Sequence, residues 1–447
     1  MASRRAHVFG LGVTGRAVVD WLLRHGWMVI VSDDSVSPSL EAVATELKGS
    51  GAEVLLGGHR GALDKTVDLV ILSPGIPPAT PAIQERIRQG AKVIGEIEFG
   101  WENSKGTFAA ITGANGKSTT TALLGEIFSR SGRPAFTAGN IGKPLIEIAD
   151  LTTDDTLIAL EVSSYQLETI VNFKPSVSAL LNITPDHLER HGSIEGYGRA
   201  KAKIWENQTK DDFLVFNADD PLVVKLVQSS EASKVPFSLA GPLTQGGWYE
   251  RGEFVFRLPD HNQLKIPRDF SYLPGRHNEA NILAAVLMAK VCGISDEVIT
   301  EGVKGFMGLP HRLEPIRIFE GVQYINDSKA TNVDAGKWAL DATKPPVILL
   351  AGGRPKKGGF KEIRDTISGK VKLVVAFGEG ANAIVDDLGD VVEIMRAENL
   401  PSALLIARQN ATSGDTVLLS PLCASFDQFK NFEHRGDVFR QLVQSLK

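Results

Sequence analysis

The sequence predicts an α/β protein of three domains, on three observations. Short apolar runs alternate with amphipathic helical stretches almost throughout, the pattern of strand–helix–strand units and largely parallel sheets. A glycine-bearing loop between a strand pattern and a helix pattern occurs near the start, at "GLGVTG", and again further on, at "TGANGKST". The length of 447 residues holds about three domains at ~150 residues each.

In the first part of the chain the strand candidates are "AHVFG", "WMVIVSD", "VDLVILS" and "AKVIG". Between the first two, Val18, Trp21 and Leu22 mark one face of a helix ending at Gly26. The third runs into "SPGIPP" (Ser73–Pro78), whose prolines forbid a helix start before Thr80. A second unit opens where a strand at Phe108–Ile111 enters the second glycine loop, and a helix then runs from Lys117 to Ser131. Buried strands follow at "TLIALEV", "SALLNIT" and "FLVFNA", while Leu239–Pro267 is poorer in apolar runs and reads as a hairpin excursion. The long helix "HNEANILAAVLMAKVCG" precedes a boundary at "GLPHRLEP". The third unit carries strands "VQYIND", "PVILLAGG", "KLVVAFG" and "DTVLLSP". Domains are therefore expected at 1–95, 96–308 and 309–447.

Composition narrows the class. Hydrophobic residues make up 43% and charged residues 23%, an ordinary globular balance with ample core. A net charge of −5 gives no electrostatic footprint for nucleic acid or an anionic membrane. No apolar run reaches the ~18 residues of a membrane span, and "MASRRAHVFGLG" lacks the apolar stretch of a signal peptide. Cys292 and Cys423 are too few for a disulfide framework and show no metal spacing. A cytoplasmic monomer without nucleic-acid or membrane partners is expected.

Gly10, Gly12 and Gly15 have the spacing G-x-G-x-x-G, and Asp33 closes the next strand about twenty residues on. That makes the first domain Rossmann-like, and by itself it points to an NAD-dependent oxidoreductase. "TGANGKST" (Thr112–Thr119) fails the strict Walker pattern, which needs Gly where Ile111 stands. Its physics survives: backbone N–H groups of Gly113, Ala114, Asn115, Gly116 and Thr119 can cradle a triphosphate at a helix N-terminus. Lys117 can reach the β/γ-phosphates, and the Ser118 hydroxyl can ligate Mg²⁺. ATP is therefore expected in a central P-loop ATPase-like domain with a mostly parallel sheet, followed by a C-terminal Rossmann-like α/β domain.

Other clusters join the loop: "GNIG" (139–142), "EVSSYQLE" (161–168), "NITPDHLERHG" (182–192), "RAKAKIWEN", "GRHNEAN", "NDSKATN" and "SPLCASFDQFKNFEHRG". Together they resemble the Mur ligases, which add amino acids to the cytoplasmic peptidoglycan precursor, and within them the D-glutamate-adding branch. The L-alanine adders carry His where Asn115 stands, and the Asp-Asn-Pro motif of the diaminopimelate and lysine adders is not found. The resemblance implies UDP-N-acetylmuramoyl-L-alanine, D-glutamate and ATP as substrates, joined through an acyl phosphate and a tetrahedral intermediate. Such chemistry asks the protein for positioning, charge neutralisation and exclusion of water.

The resemblance also implies residues. Glu161, at a strand end, holds Mg²⁺, with two ions expected; its plainer role would be to cap the following helix. His187 becomes a second-metal ligand, although a lone His is more often structural. His191 has no such support and reads as a loop residue. "RAKAKIWEN" by itself reads as a solvated basic helix face. An ammonium near two Mg²⁺ ions would be strongly repelled, and the family carbamylates one lysine with CO₂, making it a carboxylate-type ligand. Aligning on "IWEN" puts that role on Lys201; Lys203, two residues on, points ~200° away.

Asn278 and Asn281 are implied on the adenine side, with helix N-capping as their plainer role. Arg312 and Asp327 reach ATP from the third domain, so hinge closure is expected to assemble the site. Lys329, Thr331, Lys356, Ser425 and Phe432 match positions around D-glutamate, where a cation and hydroxyls suit two carboxylates; Lys357 rivals Lys356. The opening loop then holds UDP rather than NAD, with Gly12, Val13, Thr14, Asp33, Asp34, Ser73, Gly75, Asn140 and Ser163 implied around the UDP-sugar. Some relatives carry Thr-Arg where this chain has Asp34-Ser35, so the Arg contact to the nucleotide is missing. A folylpolyglutamate synthase shares the ATP logic but lacks the first domain, and a non-catalytic nucleotide sensor leaves Lys201 and Glu161 without a purpose.

Overall fold

Each of the apolar runs singled out above becomes a strand in the computed structural model, which describes residues 4–259, 262–355 and 358–447. Among the described residues the strands form three sheets. Contacts divide the chain into two compact units, Met1–Tyr272 with His277–Phe306 and Leu273–Arg276 with Met307–Lys447. The first unit holds two of the sheets and the second holds the third.

The first sheet contains β1 (Arg5–Phe9), β2 (Met28–Asp33), β3 (Glu53–Leu56), β4 (Leu69–Leu72) and β5 (Lys92–Gly95), all parallel in the order 3-2-1-4-5. The chain reverses its direction of winding between β1 and β4, the switch point where open parallel sheets leave a crevice at their carboxyl ends. Phe9, Ser32 and Leu72 are register partners there, so Gly10, Asp33 and Ser73 emerge together. Helix Val13–Arg24 buries Val18, Val19, Trp21 and Leu22, as the periodicity requires.

The second sheet runs through β6 (Thr107–Thr112), β7 (Ala135–Gly139), β8 (Leu157–Glu161), β9 (Val177–Leu180), β10 (Phe213–Asn217), β11 (Ser233–Ser238), β12 (Gly246–Glu250), β13 (Glu253–Arg257) and β14 (Leu264–Pro267). Its order is 14-13-12-11-10-9-6-8-7, parallel from β7 to β12 and antiparallel beyond. The expected hairpin excursion is thus a three-stranded meander that extends the sheet through β11. The helix after the second glycine loop ends at Ser129. The third sheet orders β15 (Glu314–Phe319), β16 (Val322–Asn326), β17 (Val347–Gly352), β18 (Val371–Phe377), β19 (Ile394–Ala397) and β20 (Thr416–Leu419) as 15-16-20-17-18-19, with only β15 antiparallel.

Helix Glu96–Glu102 follows β5 and carries two buried acids. Glu98 accepts the N–H groups of Val171, Asn172 and Phe173 at 2.9, 2.8 and 2.9 Å. Glu96 accepts from Ile146 N at 2.9 Å, while its Oε2 has no partner among the described residues. Burial pushes the Glu96 carboxyl up to about 7, against hydrogen bonds that favour the charged form. Because the folded value is raised, ionisation destabilises the fold: the penalty is absent below the unfolded value and grows as pH rises to about 7. Glu96→Gln removes that penalty. The stability gap between variant and parent should widen by up to about 3 kcal/mol from pH 5 to pH 8, at about 1.4 kcal/mol per pH unit. Thermal unfolding at both pH values measures it, and a gap that does not change with pH would refute the assignment.

Candidate active site

The second glycine loop leaves the carboxyl end of β6 and is zipped to the residues following β9. Ala114 N donates to Asn182 O at 3.0 Å and Asn115 N to Asn182 Oδ1 at 2.8 Å. Asn182 Nδ2 returns a bond to Asn115 O at 3.1 Å, and Asn115 Nδ2 lies 3.2 Å from Thr184 Oγ1. Asn182 is a site residue that residue type alone did not single out; its place just past a buried strand was the available signal. Lys117 curls back, its Nζ 2.9 Å from both Gly113 O and Ala114 O. Ser118 and Thr119 occupy the first turn of helix Lys117–Ser129.

Gly116 caps that helix with φ +84°, and a Cβ there would stand 2.2 Å from Asn281 Oδ1. Asn281 is buried and donates to Asn278 Oδ1 at 3.0 Å. Helix Arg276–Val291 begins before both, so neither asparagine is an N-cap. They are instead a buried amide pair laid against the glycine loop.

Lys201 ends helix Ile194–Ala202, which Ser193 caps through Gly196 N. The expected solvated face does not describe it: Lys201 is 1% exposed, with Nζ 2.8 Å from Gly113 O and 4.4 Å from the Tyr197 ring centroid. Two lysines therefore converge on one carbonyl. Burial, then Lys117, hold the Lys201 ammonium well below its ordinary value, with Asp186 and Glu161 opposing. Lys203 lies in the following turn, its Nζ 3.5 Å from Glu168 O.

Glu161 closes β8 and is 2% exposed. Its Oε1 accepts from Asn140 Nδ2 at 2.8 Å, and its Oε2 is buried without a hydrogen-bond partner among the described residues. A cation would satisfy that oxygen. Ser163 caps helix Ser164–Leu167 in a reciprocal box with Gln166. His187 adopts φ +51° and sits half-exposed, with Nδ1 3.0 Å from Tyr165 Oη and Nε2 3.5 Å from Asp186 Oδ2. No group of three His, Cys, Asp or Glu side chains that could hold a metal occurs among the described residues. His191 is not a loop residue: it ends helix Leu188–His191, with Nε2 3.0 Å from Ser164 Oγ and its ring stacked 5.7 Å from Tyr165.

At the first sheet, Gly10 has φ +91°, and a Cβ on Gly15 would meet Gly10 O at 1.8 Å, so the turn admits only glycine there. Gly12 caps helix Val13–Arg24, with Val13 exposed and Thr14 beside it, and Ser73 Oγ donates to Gly10 O at 3.2 Å. Asp33 is engaged by the chain itself: Oδ2 accepts from Leu11 N and Oδ1 from Ser35 N, both at 2.8 Å. Gly75 lies in the turn after β4, and Asp34 is exposed.

In the second unit Asp327 is buried, accepting from Leu313 N at 3.1 Å and Ser420 Oγ at 3.0 Å. Burial raises its carboxyl to about 7, with Arg312 among the opposing influences. Lys329 Nζ lies 3.8 Å from the Phe432 ring centroid, and the Thr331 backbone bonds to Lys329 O. Arg435, fully buried and not foreseen as a site residue, donates to Ser328 O at 2.9 Å, Ser328 Oγ at 3.0 Å and Cys423 O at 3.1 Å. It thereby ties the loop bearing Lys329 to the segment leading to Ser425. Lys356 and its rival Lys357 lie outside the described residues.

The Gly116 contact yields a test. Gly116→Ala should cost about 1–3 kcal/mol, from the clash and the positive φ together. Adding Asn281→Gly should recover part of that loss by removing the side chain the methyl strikes. Denaturant unfolding of both variants decides it; a single variant as stable as the parent would contradict the geometry.

Three family models match in order along the chain: Mur ligase MurD-like, N-terminal domain, at 4–95; Mur ligase middle domain, at 111–289; and Mur ligase, glutamate ligase domain, at 311–423. A protein of Pelotomaculum thermopropionicum named UDP-N-acetylmuramoylalanine–D-glutamate ligase is 40% identical over 446 residues, 99% of this chain and 98% of its own. A protein of the same name from Koribacter versatilis is 40% identical over 443 residues, again 99% and 98%. Among solved structures, MurF from Acinetobacter baumannii shares the fold with a TM-score of 0.64 at 18% identity, covering 95% of this chain and 92% of its own. The UDP-N-acetylmuramate–alanine ligase of Thermotoga maritima does so at 0.61 and 20%, covering 99% and 100%. With domain models matching in sequence and full-length relatives at this identity, the chain belongs to the Mur ligase family.

Proposed function

We propose that the chain is an ATP-dependent ligase that adds D-glutamate to UDP-N-acetylmuramoyl-L-alanine in peptidoglycan precursor synthesis. Support comes from the name shared by its full-length relatives. The structural observation that carries the reading is the cluster at the second glycine loop, where Lys117 and Lys201 share Gly113 O beside Glu161. The domains are assigned as 1–95 for the UDP-sugar, 96–308 for ATP and 309–447 for the amino acid.

The glycine loop from Gly113 to Thr119 holds the ATP phosphates with backbone N–H groups and Lys117, and the Asn278–Asn281 pair flanks it. The terminal carboxylate of the L-alanine arm attacks the γ-phosphorus, and ADP leaves. The neutral amine of D-glutamate then attacks the acyl phosphate carbon, and the tetrahedral intermediate collapses with loss of phosphate, the nitrogen's proton leaving with it as hydrogen phosphate. Lys117 neutralises charge on the transferring group. Lys329, Thr331, Ser425 and Phe432, with Lys356, hold D-glutamate. Gly12, Val13, Thr14, Ser73, Gly75, Asn140 and Ser163 line the path of the UDP-sugar, and Asp33 holds its loop in shape.

Ser118, Glu161, His187 and modified Lys201 would hold Mg²⁺, and the partnerless Glu161 Oε2 fits that role. Bound there, Mg²⁺ supplies positive charge to phosphate oxygens. Lys201 is suited to carbamylation because burial and the neighbouring Lys117 disfavour its charged form. The neutral amine Nζ adds to the carbon of CO₂ and releases one proton, which leaves an anion where the protonated lysine would set a cation beside Lys117. Low dielectric makes that exchange of sign favourable next to other cations. A cytoplasmic location agrees with the precursor chemistry and with the lack of any helix among the described residues able to cross a membrane.

The direct experiment supplies ATP, Mg²⁺, UDP-N-acetylmuramoyl-L-alanine and D-glutamate and measures phosphate release with each omitted in turn. Release should need all four; release independent of D-glutamate, or none, refutes the activity. Lys201→Ala should lose activity on the order of 100-fold and regain part of it with formate or acetate, while Lys203→Ala changes activity only a few-fold. The reverse pattern would move the modified lysine to Lys203.

A further inference from the structure

A directional chain of polar groups runs through the first sheet, and the activity described above uses none of its buried members. Arg86 is fully buried, with Nε and Nη2 at 3.2 and 3.1 Å from His7 Nδ1. Its other N–H groups go to Ala62 O, Lys65 O and Gln89 Oε1. A guanidinium only donates, so His7 Nδ1 accepts and Nε2 carries the proton. That Nε2 lies 2.7 Å from Ser32 Oγ, which is 2.8 Å from His59 Nδ1. Burial, then Arg86, hold His7 down to about 3, so it stays neutral and the order of donors cannot reverse. Ser32 receives from His7 and must donate onward. His59 Nδ1 accepts, and Nε2–H is the outward donor.

His59 stands just beyond β3, in a turn held to the end of β2 by Gly58 N on Asp33 O at 3.1 Å. It lies on the carboxyl edge of the sheet, beside the G-x-G-x-x-G loop. The residue is 5% exposed, packs 4.8 Å from the Phe9 ring, and its Nε2 has no hydrogen-bond partner among the described residues. Asp34 Oδ2 is 3.2 Å away, close enough for ion pairing but poorly aligned as an acceptor. A donor with a locked tautomer thus sits beside an exposed carboxylate at the edge where this fold class takes its ligands.

We propose that His59 and Asp34 read the uracil of the UDP-sugar, His59 Nε2–H donating to a base carbonyl oxygen and Asp34 accepting from N3–H. This rests on the reading that the first domain binds the UDP-sugar. Uracil presents a donor at N3 flanked by carbonyl acceptors, which matches an adjacent acceptor and donor. Cytosine presents an acceptor at N3 and an amine at C4, which sets a lone pair against the carboxylate. A site with buried polar groups of fixed sense rejects such a mismatch strongly.

The test measures inhibition of the full-length enzyme by UDP and by CDP, alongside KM for each substrate. The parent should bind UDP at least about 10-fold more tightly than CDP. His59→Asn keeps an acceptor for Ser32 but loses the Nε2 donor. It should raise KM for the UDP-sugar and the inhibition constant of UDP about 10-fold, with the effect in KM rather than kcat. His59→Gln, whose amide nitrogen reaches the Nε2 position, should recover most of the loss. Asp34→Asn, on the surface, should narrow the UDP–CDP gap without lowering the melting temperature. Equal damage from His59→Asn and His59→Gln, or an unchanged gap in Asp34→Asn, would overturn the proposal. If the parent neither turns over the UDP-sugar nor is inhibited by UDP, the underlying reading fails and this one with it. Turnover with unaltered base discrimination in the variants removes only His59 and Asp34.

Discussion

Parallel strand pairing is the constraint on which the rest of the molecule depends. Parallel neighbours end on the same edge, so whatever follows each strand is delivered to one rim of its sheet. Gly10, Asp33 and Ser73 meet at the first rim because Phe9, Ser32 and Leu72 are register partners. Thr112 and Glu161 meet at the second because Ile111 pairs with Glu161 and Thr112 with Leu180. Asp327 and Ser420 meet at the third because Asn326 pairs with Leu419. The central strands of each sheet are largely apolar and almost entirely buried. Their chemistry is carried by the residues that come next, whose backbone groups are no longer used by a ladder and are open to loops or ligands.

The sequence showed the interior of this arrangement better than its margins. Runs such as "VILLAG" and "FAAIT" can hardly be anything but central parallel strands. The strands that escaped notice are marginal ones. Ala135–Gly139 and Ile394–Ala397 lie at sheet edges and are only partly buried, and Glu53–Leu56 is an edge strand of one short turn of pleat. Ser233–Ser238 begins with two exposed polar residues and contains Pro236, and Glu314–Phe319 contains Pro315, which argues against a strand unless it is an edge. The candidate site divides in the same way. Its loop glycines and Lys117 were legible because the backbone and a phosphate demand those types at that spacing. Asn182, Tyr197 and Arg435 act by filling space and bonding loops together, and such roles leave no spacing to read.

The opening glycines show how far a motif reaches. Gly10 and Gly15 are there because Ser73 and the Gly10 carbonyl leave no room for a side chain. Those contacts belong to the turn and would be the same for any ligand with a pyrophosphate. Asp33, the residue that completes the dinucleotide pattern, has one oxygen on Leu11 N and the other on Ser35 N. Its carboxylate shapes the loop from within. The identity of the ligand must then be set by the residues around the turn rather than by the turn, and beside it in this chain stand Asp34 and the buried chain that ends at His59.

Two orphaned atoms make the same point energetically. A buried polar atom without a partner costs about 1–3 kcal/mol, and a fold that pairs its backbone so fully has no general reason to keep one. Glu161 Oε2 and His59 Nε2 are two of the six such atoms among the described residues, and both lie just where a parallel strand or its following turn reaches the rim. Lys201 adds a cost of a different kind, an amine buried beside Lys117 and sharing its acceptor, Gly113 O, at 2.8 Å. Each group is held rigidly by neighbours that are themselves satisfied: Asn140 on Glu161, Ser32 on His59, and the Tyr197 ring beside Lys201. Rigid support of an unsatisfied group stores stability that binding can release, because the ligand supplies the missing partner without having to order the side chain first. Glu96 Oε2 is equally orphaned, and Glu96 too directly follows a parallel strand, β5, yet its other oxygen accepts from Ile146 N and its burial raises its own pKa to about 7. A place on the rim is therefore not enough to mark an orphaned atom as ligand-facing; its own protonation, as at Glu96, can lower the cost of leaving it unpaired.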